Sequence, residues 1–144
     1  MTESKGASKQ TPITITERDK RNLEKMIEGI QRSGKQESTL ASLITELNRA
    51  TIVHSEAVSP KVVTMGSLVS IVDRDTHERS QFRLVFPDQI EEESNNISVL
   101  SPLGAGMLGY QVGDEFEWAV PAGMRKFQVA KVDYQPDAAN TYHL

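Results

Sequence analysis

The chain has 144 residues with no Cys, 38% of them hydrophobic and 25% charged, and its formal net charge is −4. This is the composition of one globular domain or two small ones, and it excludes collagen-like, disordered and disulfide-stapled classes. It also excludes thiol nucleophiles and Cys-ligated zinc or iron–sulfur sites. Residues 1–52 carry nine Lys/Arg against seven Asp/Glu, and residues 53–144 carry seven against thirteen. An acidic chain lacks the cationic surface that phosphate contacts need, so a protein partner is favoured over nucleic acid. No run of 18 apolar residues occurs, and no apolar stretch follows Lys5 and Lys9. The sequence therefore predicts no membrane span, no secretory signal and a cytoplasmic location.

Residues 1–12 are polar and aperiodic, and they read as a disordered tail. Thr16 with Asp19 approximates a capping box. Leu23, Met26, Ile27 and Ile30 then repeat at helical spacing, which predicts a helix over about 17–32. Glu17 to Lys20, Arg21, Glu24, Lys25 and Glu28 form its solvated face. Gly34 is the expected stop. Ser38 or Thr39 is positioned to cap a second helix, with Leu40, Leu43, Ile44 and Leu47 as its stripe, running to about Thr51. The two make an antiparallel helical hairpin over 13–52, a short coiled coil with arms of about 20–24 Å.

Residues 53–61, with Pro60, break the period and read as a linker. Beyond them the period becomes 2. Strands are predicted over about 67–73, through Phe82 to Phe86, at Ile97 to Leu100, at Phe116, Trp118 and Val120, and from Phe127 to Val132. Ser101-Pro102 reads as N-cap and first residue of a short helix over Leu103 to Leu108. Pro121-Ala122-Gly123 is a turn, and 137–144 is a polar tail. The second part, 62–136, is thus a small antiparallel sheet with one short helix, and the whole is α+β.

Gly104-Ala105-Gly106-Met107-Leu108-Gly109 matches the dinucleotide fingerprint but lacks the long helix and parallel βαβ unit that the fingerprint serves. Small residues that let a short helix pack closely explain it better. Asp73, Asp75, His77 and Glu78 cluster, yet the calcium loop needs Gly sixth and Glu twelfth, and from Asp73 those positions hold Glu78 and Leu84. A charged hairpin tip is the simpler reading. His54, His77 and His143 fall in linker, turn and tail with no helical partner, and no G-x-S-x-G elbow occurs. Glu91 to Glu93 reads as a solvated loop. No metal, cofactor or catalytic set is visible, so residues alone predict a non-enzymatic helical hairpin on a small α+β module.

The run 97–134 resembles the C-terminal domain of the Gre transcript-cleavage factors. The shared skeleton is Ile97-Ser98, Ser101-Pro102, Gly104, Leu108-Gly109, Gly113-Asp114, Pro121, Gly123, Phe127, Val129, Val132 and Tyr134, and the likeness begins near Val63 to Ser67. Glu46 to Ala50, Val62 to Met65 and Tyr134 to Ala139 are more similar still to the Rnk family, regulators of nucleoside diphosphate kinase, which look like Gre factors with a shortened hairpin. The resemblance implies an FKBP-like sheet domain that docks on RNA polymerase at the rim of its secondary channel, beneath a projecting hairpin. It implies that Ser101, Pro102, Leu103, Gly104, Met107 and Leu108 face the polymerase. Leu103 and Leu108 fit core positions equally well. Gre hairpins carry two acids at the tip that hold a catalytic metal. Here Arg32, Lys35 and Glu37 occupy the tip, and one carboxylate beside two cations is a weak magnesium site. The expectation is a monomer without cofactor that occupies the rim site, competes with Gre factors and does not cleave. It would contact DNA only through the polymerase. Direct action on nucleoside diphosphate kinase is the alternative. Prolyl isomerisation, known on FKBP-like folds, does not follow from fold.

Overall fold

Two periodicities in one chain build two attached parts. The computed structural model describes residues 12–34, 40–90, 95–120 and 123–136. In order these hold β1 (Thr14–Thr16), α1 (Glu17–Ser33), α2 (Leu40–Arg49), β2 (Thr51–Val53), β3 (Leu68–Asp73) and β4 (Arg79–Val85). There follow β5 (Asn96–Ser98), α3 (Pro102–Met107), β6 (Glu115–Val120) and β7 (Gly123–Tyr134).

Helix α1 starts and stops on the residues its sequence predicts. Thr16 is extended, and its Oγ1 accepts the Asp19 N–H at 3.1 Å. Gly34 closes the helix in the left-handed region at φ 79°, where a side chain would be strained. Leu23 and Ile27 of α1 and Leu43 and Leu47 of α2 are buried. The expected caps Ser38 and Thr39 lie outside the described residues.

Helix α2 ends at Arg49, short of Thr51. Thr51, Ile52 and Val53 instead pair in parallel with Thr14, Ile15 and Thr16. No strand is expected here from the sequence pattern. All six residues are β-branched, a class that packs best on extended backbone. This strand pair ties the two ends of the arm together.

The main sheet has the order β5-β4-β3-β7-β6. Its pairs are antiparallel except β4 with β5, which is parallel. The sheet is therefore mixed, which corrects the expected antiparallel one. Residues 86–95 separate β4 from β5, more than a tight hairpin uses, and the chain re-enters in the direction of β4.

One contiguous core runs through both parts. It joins Leu23, Ile27, Leu43 and Leu47 of the arm to Val69, Ile71, Leu84 and Val129 of the sheet and to Leu103, Met107 and Leu108 near α3. Phe116 stacks on Phe127 and meets Tyr110 edge-on, each at 5.9 Å. The side chains of Trp118 and Val120, expected to point inward, lie outside the described residues. The expected linker is bound in place. Val58 is buried, and the Gln135 Nε2 donates to the carbonyls of Ser59 and Val62 at 2.8 Å each.

Candidate docking site

The segment from β5 through α3 is a knot of short-range bonds. Ser101 caps α3, its Oγ accepting the Gly104 N–H at 3.0 Å and donating to the Ser98 carbonyl at 2.7 Å. Ser98 Oγ accepts the Leu100 N–H at 3.0 Å. Pro102 sits in the first turn, where a missing N–H costs nothing. A Cβ on Gly104 would lie 2.1 Å from the Ser98 carbonyl oxygen, so only glycine allows this approach.

Leu103, Met107 and Leu108 are 1%, 0% and 3% exposed. Their side chains are core: for Leu103 and Leu108 this is the alternative the sequence left open, and for Met107 it corrects the expectation of facing a partner. A six-residue helix sunk against a sheet has little free face, so Leu103, Met107 four residues on and the adjacent Leu108 all find the core. Gly104 is buried as well. The half-buried residues of the segment are Asn96, Ile97 and Ser98 of β5, together with Leu100, Ser101 and Gly106.

At the far end of the arm, Arg32 is exposed and lies 3.9 Å from the Glu28 carboxylate. An exposed pair of this kind adds little to stability. Lys35 and Glu37 lie outside the described residues, so no tip geometry joins the three.

Neither alternative chemistry assembles. The glycine motif does not open a helix: it begins at the third residue of the six-residue α3 and runs past its end. Its last glycine, Gly109, serves a different contact: at φ 85° its Cβ would lie 2.9 Å from the Ile13 Cβ. Among the described residues no group of three or more His, Asp or Glu side chains could hold a metal ion. Asp73 is turned inward instead. It accepts the Arg125 Nε at 2.8 Å, a second Arg125 bond from Nη2, and the Asp75 and Thr76 N–H groups at 2.8 and 3.2 Å. Burial pushes its carboxyl up, but the Arg125 and backbone hydrogen bonds outweigh that and hold it below the usual carboxylate range.

One residue expected on the solvated face of α1 is buried. Asp19 is 5% exposed, and its Oδ2 accepts the Met65 N–H at 2.9 Å. An acid in a first helical turn reads as a dipole partner, and nothing in the local spacing distinguishes it.

The family model for the C-terminal region of the transcription elongation factors GreA and GreB matches residues 58–134. A second family model, for the N-terminus of Rnk, matches residues 11–53. The chain belongs to the Rnk family. It is 36% identical over 104 residues to the regulator of nucleoside diphosphate kinase of Escherichia coli K12, covering 72% of this chain and 76% of that one. It is also 36% identical over 102 residues to the elongation factor GreA of Desulfotalea psychrophila, spanning only 63% of that protein. The fold of this Rnk-family chain is similar to the structure of a GreA/GreB elongation factor from Nitrosomonas europaea. The TM-score is 0.73 at 33% identity, with 85% of this chain and 99% of the other covered. The Rnk-family chain is thus a mixed α+β relative of elongation factors, and no helix among its described residues is long and apolar enough to cross a membrane.

Proposed function

We propose that this protein binds RNA polymerase beside the secondary channel, competes there with Gre factors, and does not cleave the transcript. The observation that carries this reading is the pairing of a Gre-type C-terminal region with a short arm. Helix α1 has 17 residues, about 25 Å at 1.5 Å per residue. In the sequence the turn between the two helices carries Arg32, Lys35 and Glu37, a set poorly suited to hold magnesium. The arm then acts by occupying space at the channel mouth.

In this reading the sheet domain is FKBP-like, the arm is a short coiled coil, and the protein works as a cytoplasmic monomer with no cofactor. The docking element is the segment 98–108. Ser101 and Pro102, with Leu100 and Gly106, form its contact surface. Leu103, Gly104, Met107 and Leu108 act from beneath by fixing its shape. Contact with DNA runs only through the polymerase.

The test is binding of the purified protein to core RNA polymerase with a Gre factor as competitor, paired with a transcript-cleavage assay. Saturable binding that the Gre factor displaces, without cleavage, is the expected result. Absence of binding at micromolar polymerase overturns the reading and shifts the search to direct contact with nucleoside diphosphate kinase, which the E. coli relative is named for regulating. Binding with cleavage overturns the assignment of the tip.

A further inference from the structure

The arm meets the sheet domain through ties that its own helices do not need. Helix α1 is already capped by the Thr16 hydroxyl, so the Asp19 side chain is not required for the cap. That side chain reaches instead to Met65, 46 residues away, and takes its N–H at 2.9 Å in a buried setting. A buried carboxylate is costly unless hydrogen-bonded, so this contact sets strict geometry.

A second tie lies beside it. The Thr14 N–H donates to the Gly109 carbonyl at 3.1 Å, and the Gly109 N–H donates to the Val63 carbonyl at 2.9 Å. Gly109 directly follows the segment 98–108. A Cβ there would strike Ile13 at 2.9 Å and stand 3.2 Å from the Thr14 oxygen. A third bond, from the Thr51 N–H to the Ile13 carbonyl at 3.0 Å, secures the returning end of the arm. Two anchors on different segments of the sheet domain remove the freedom to rotate that one would leave.

We propose that Asp19 is a positioning residue. Its carboxylate locks the arm to the sheet domain, and with Gly109 it fixes the arm at one angle to the docking segment. The use of that angle rests on the function proposed above: where the segment docks then dictates where the arm points. Gly109, the last glycine of the dinucleotide-like motif, is in this account the seat of the arm.

The chain has no Cys, so Gln31→Cys with Lys131→Cys places two spin labels, one on α1 and one on β7. Pulsed electron–electron resonance then reads the distance between arm and sheet. The otherwise wild-type protein gives one narrow distribution. Asp19→Ala, still folded by circular dichroism, broadens it about twofold or more as the arm samples several orientations. Asp19→Asn, whose amide oxygen still accepts the Met65 N–H, keeps it narrow. A narrow, unshifted distribution in folded Asp19→Ala overturns the proposal, as does a broad one in wild type. If Asp19→Ala does not fold, hydrogen exchange in wild type decides. A Met65 amide that opens only with the whole molecule supports the lock, and one that opens far more readily overturns it. A photocrosslinker at position 31 separates this idea from the function. Wild type that fails to bind polymerase overturns the function and leaves the distance result standing. Asp19→Ala that binds polymerase but loses the crosslink supports the lock.

Discussion

Asp19 and Asp73 are acids that the sequence places among charged neighbours, and both are buried, at 5% and 6% exposure. What separates them from solvated acids is a donor brought from far along the chain: Met65 for one, Arg125 for the other. Local spacing carries no trace of either partner. For Asp73 the consequence is a pH dependence with a definite sign. Its folded carboxyl lies below the ordinary value of about 3.9, because Arg125 and two backbone N–H groups favour the anion more than burial disfavours it. The stabilisation is present above that ordinary value and is lost as pH falls through the folded value. Asp133 adds the same trend: burial raises its carboxyl, and bonds from Ser70 and Gln81 with the charge of Lys131 bring it lower. Urea unfolding therefore shows wild type losing stability as pH falls below about 4. Asp73→Asn is less stable than wild type at neutral pH, and the gap closes in acid. A gap that stays constant with pH means that Asp73 acts through packing alone.

The contrast between α1 and α3 shows what length does to the meaning of a glycine. Gly29 lies in the exposed interior of a 17-residue helix with nothing within 4 Å of an added Cβ. Gly29→Ala should raise stability by about 0.5–1 kcal/mol, through the restricted unfolded chain. Gly104 lies in a six-residue helix pressed onto the Ser98 carbonyl. Gly104→Ala should lower stability by at least about 1–3 kcal/mol, because backbone has to move. Chemical denaturation of the two variants reads both signs. The same contrast governs how far the elements were legible. The arm was readable because its stripes run over several turns, and α1 begins and ends on the residues that cap it. The five strands of the main sheet fall within a few residues of their expected places. The strands Thr14–Thr16 and Thr51–Val53 are too short for a period to emerge, and the parallel entry of Asn96–Ser98 depends on a crossover rather than on the strand's own residues. In the docking segment the Ser-Pro start was legible. The burial of Leu103, Met107 and Leu108 was not, since a helix shorter than two turns has no periodicity to separate an inner face from an outer one.

At the scale of the molecule, arm and sheet share one core, with Leu23, Ile27 and Leu43 in the same buried cluster as Val69 and Val129. Such a body unfolds in one step. Helical circular dichroism, dominated by the arm, and fluorescence of the single Trp, at position 118 on β6, should give coincident urea transitions. An arm that melts at lower urea contradicts a shared core. The sheet order carries a consequence for the birth of the protein as well. Strand β3 lies between β4 and β7, and about 50 residues separate Asp73 from Gly123. A ribosome adding roughly 5–20 residues per second takes about 3–10 s over that stretch. Throughout it, β4 can zip onto one edge of β3 while the other edge stays bare, with Val69 and Ile71 waiting for Val132 and Val129. The nascent chain thus presents a sticky ribbon before its cover is made, an interval in which chaperones or neighbouring chains compete for the same backbone.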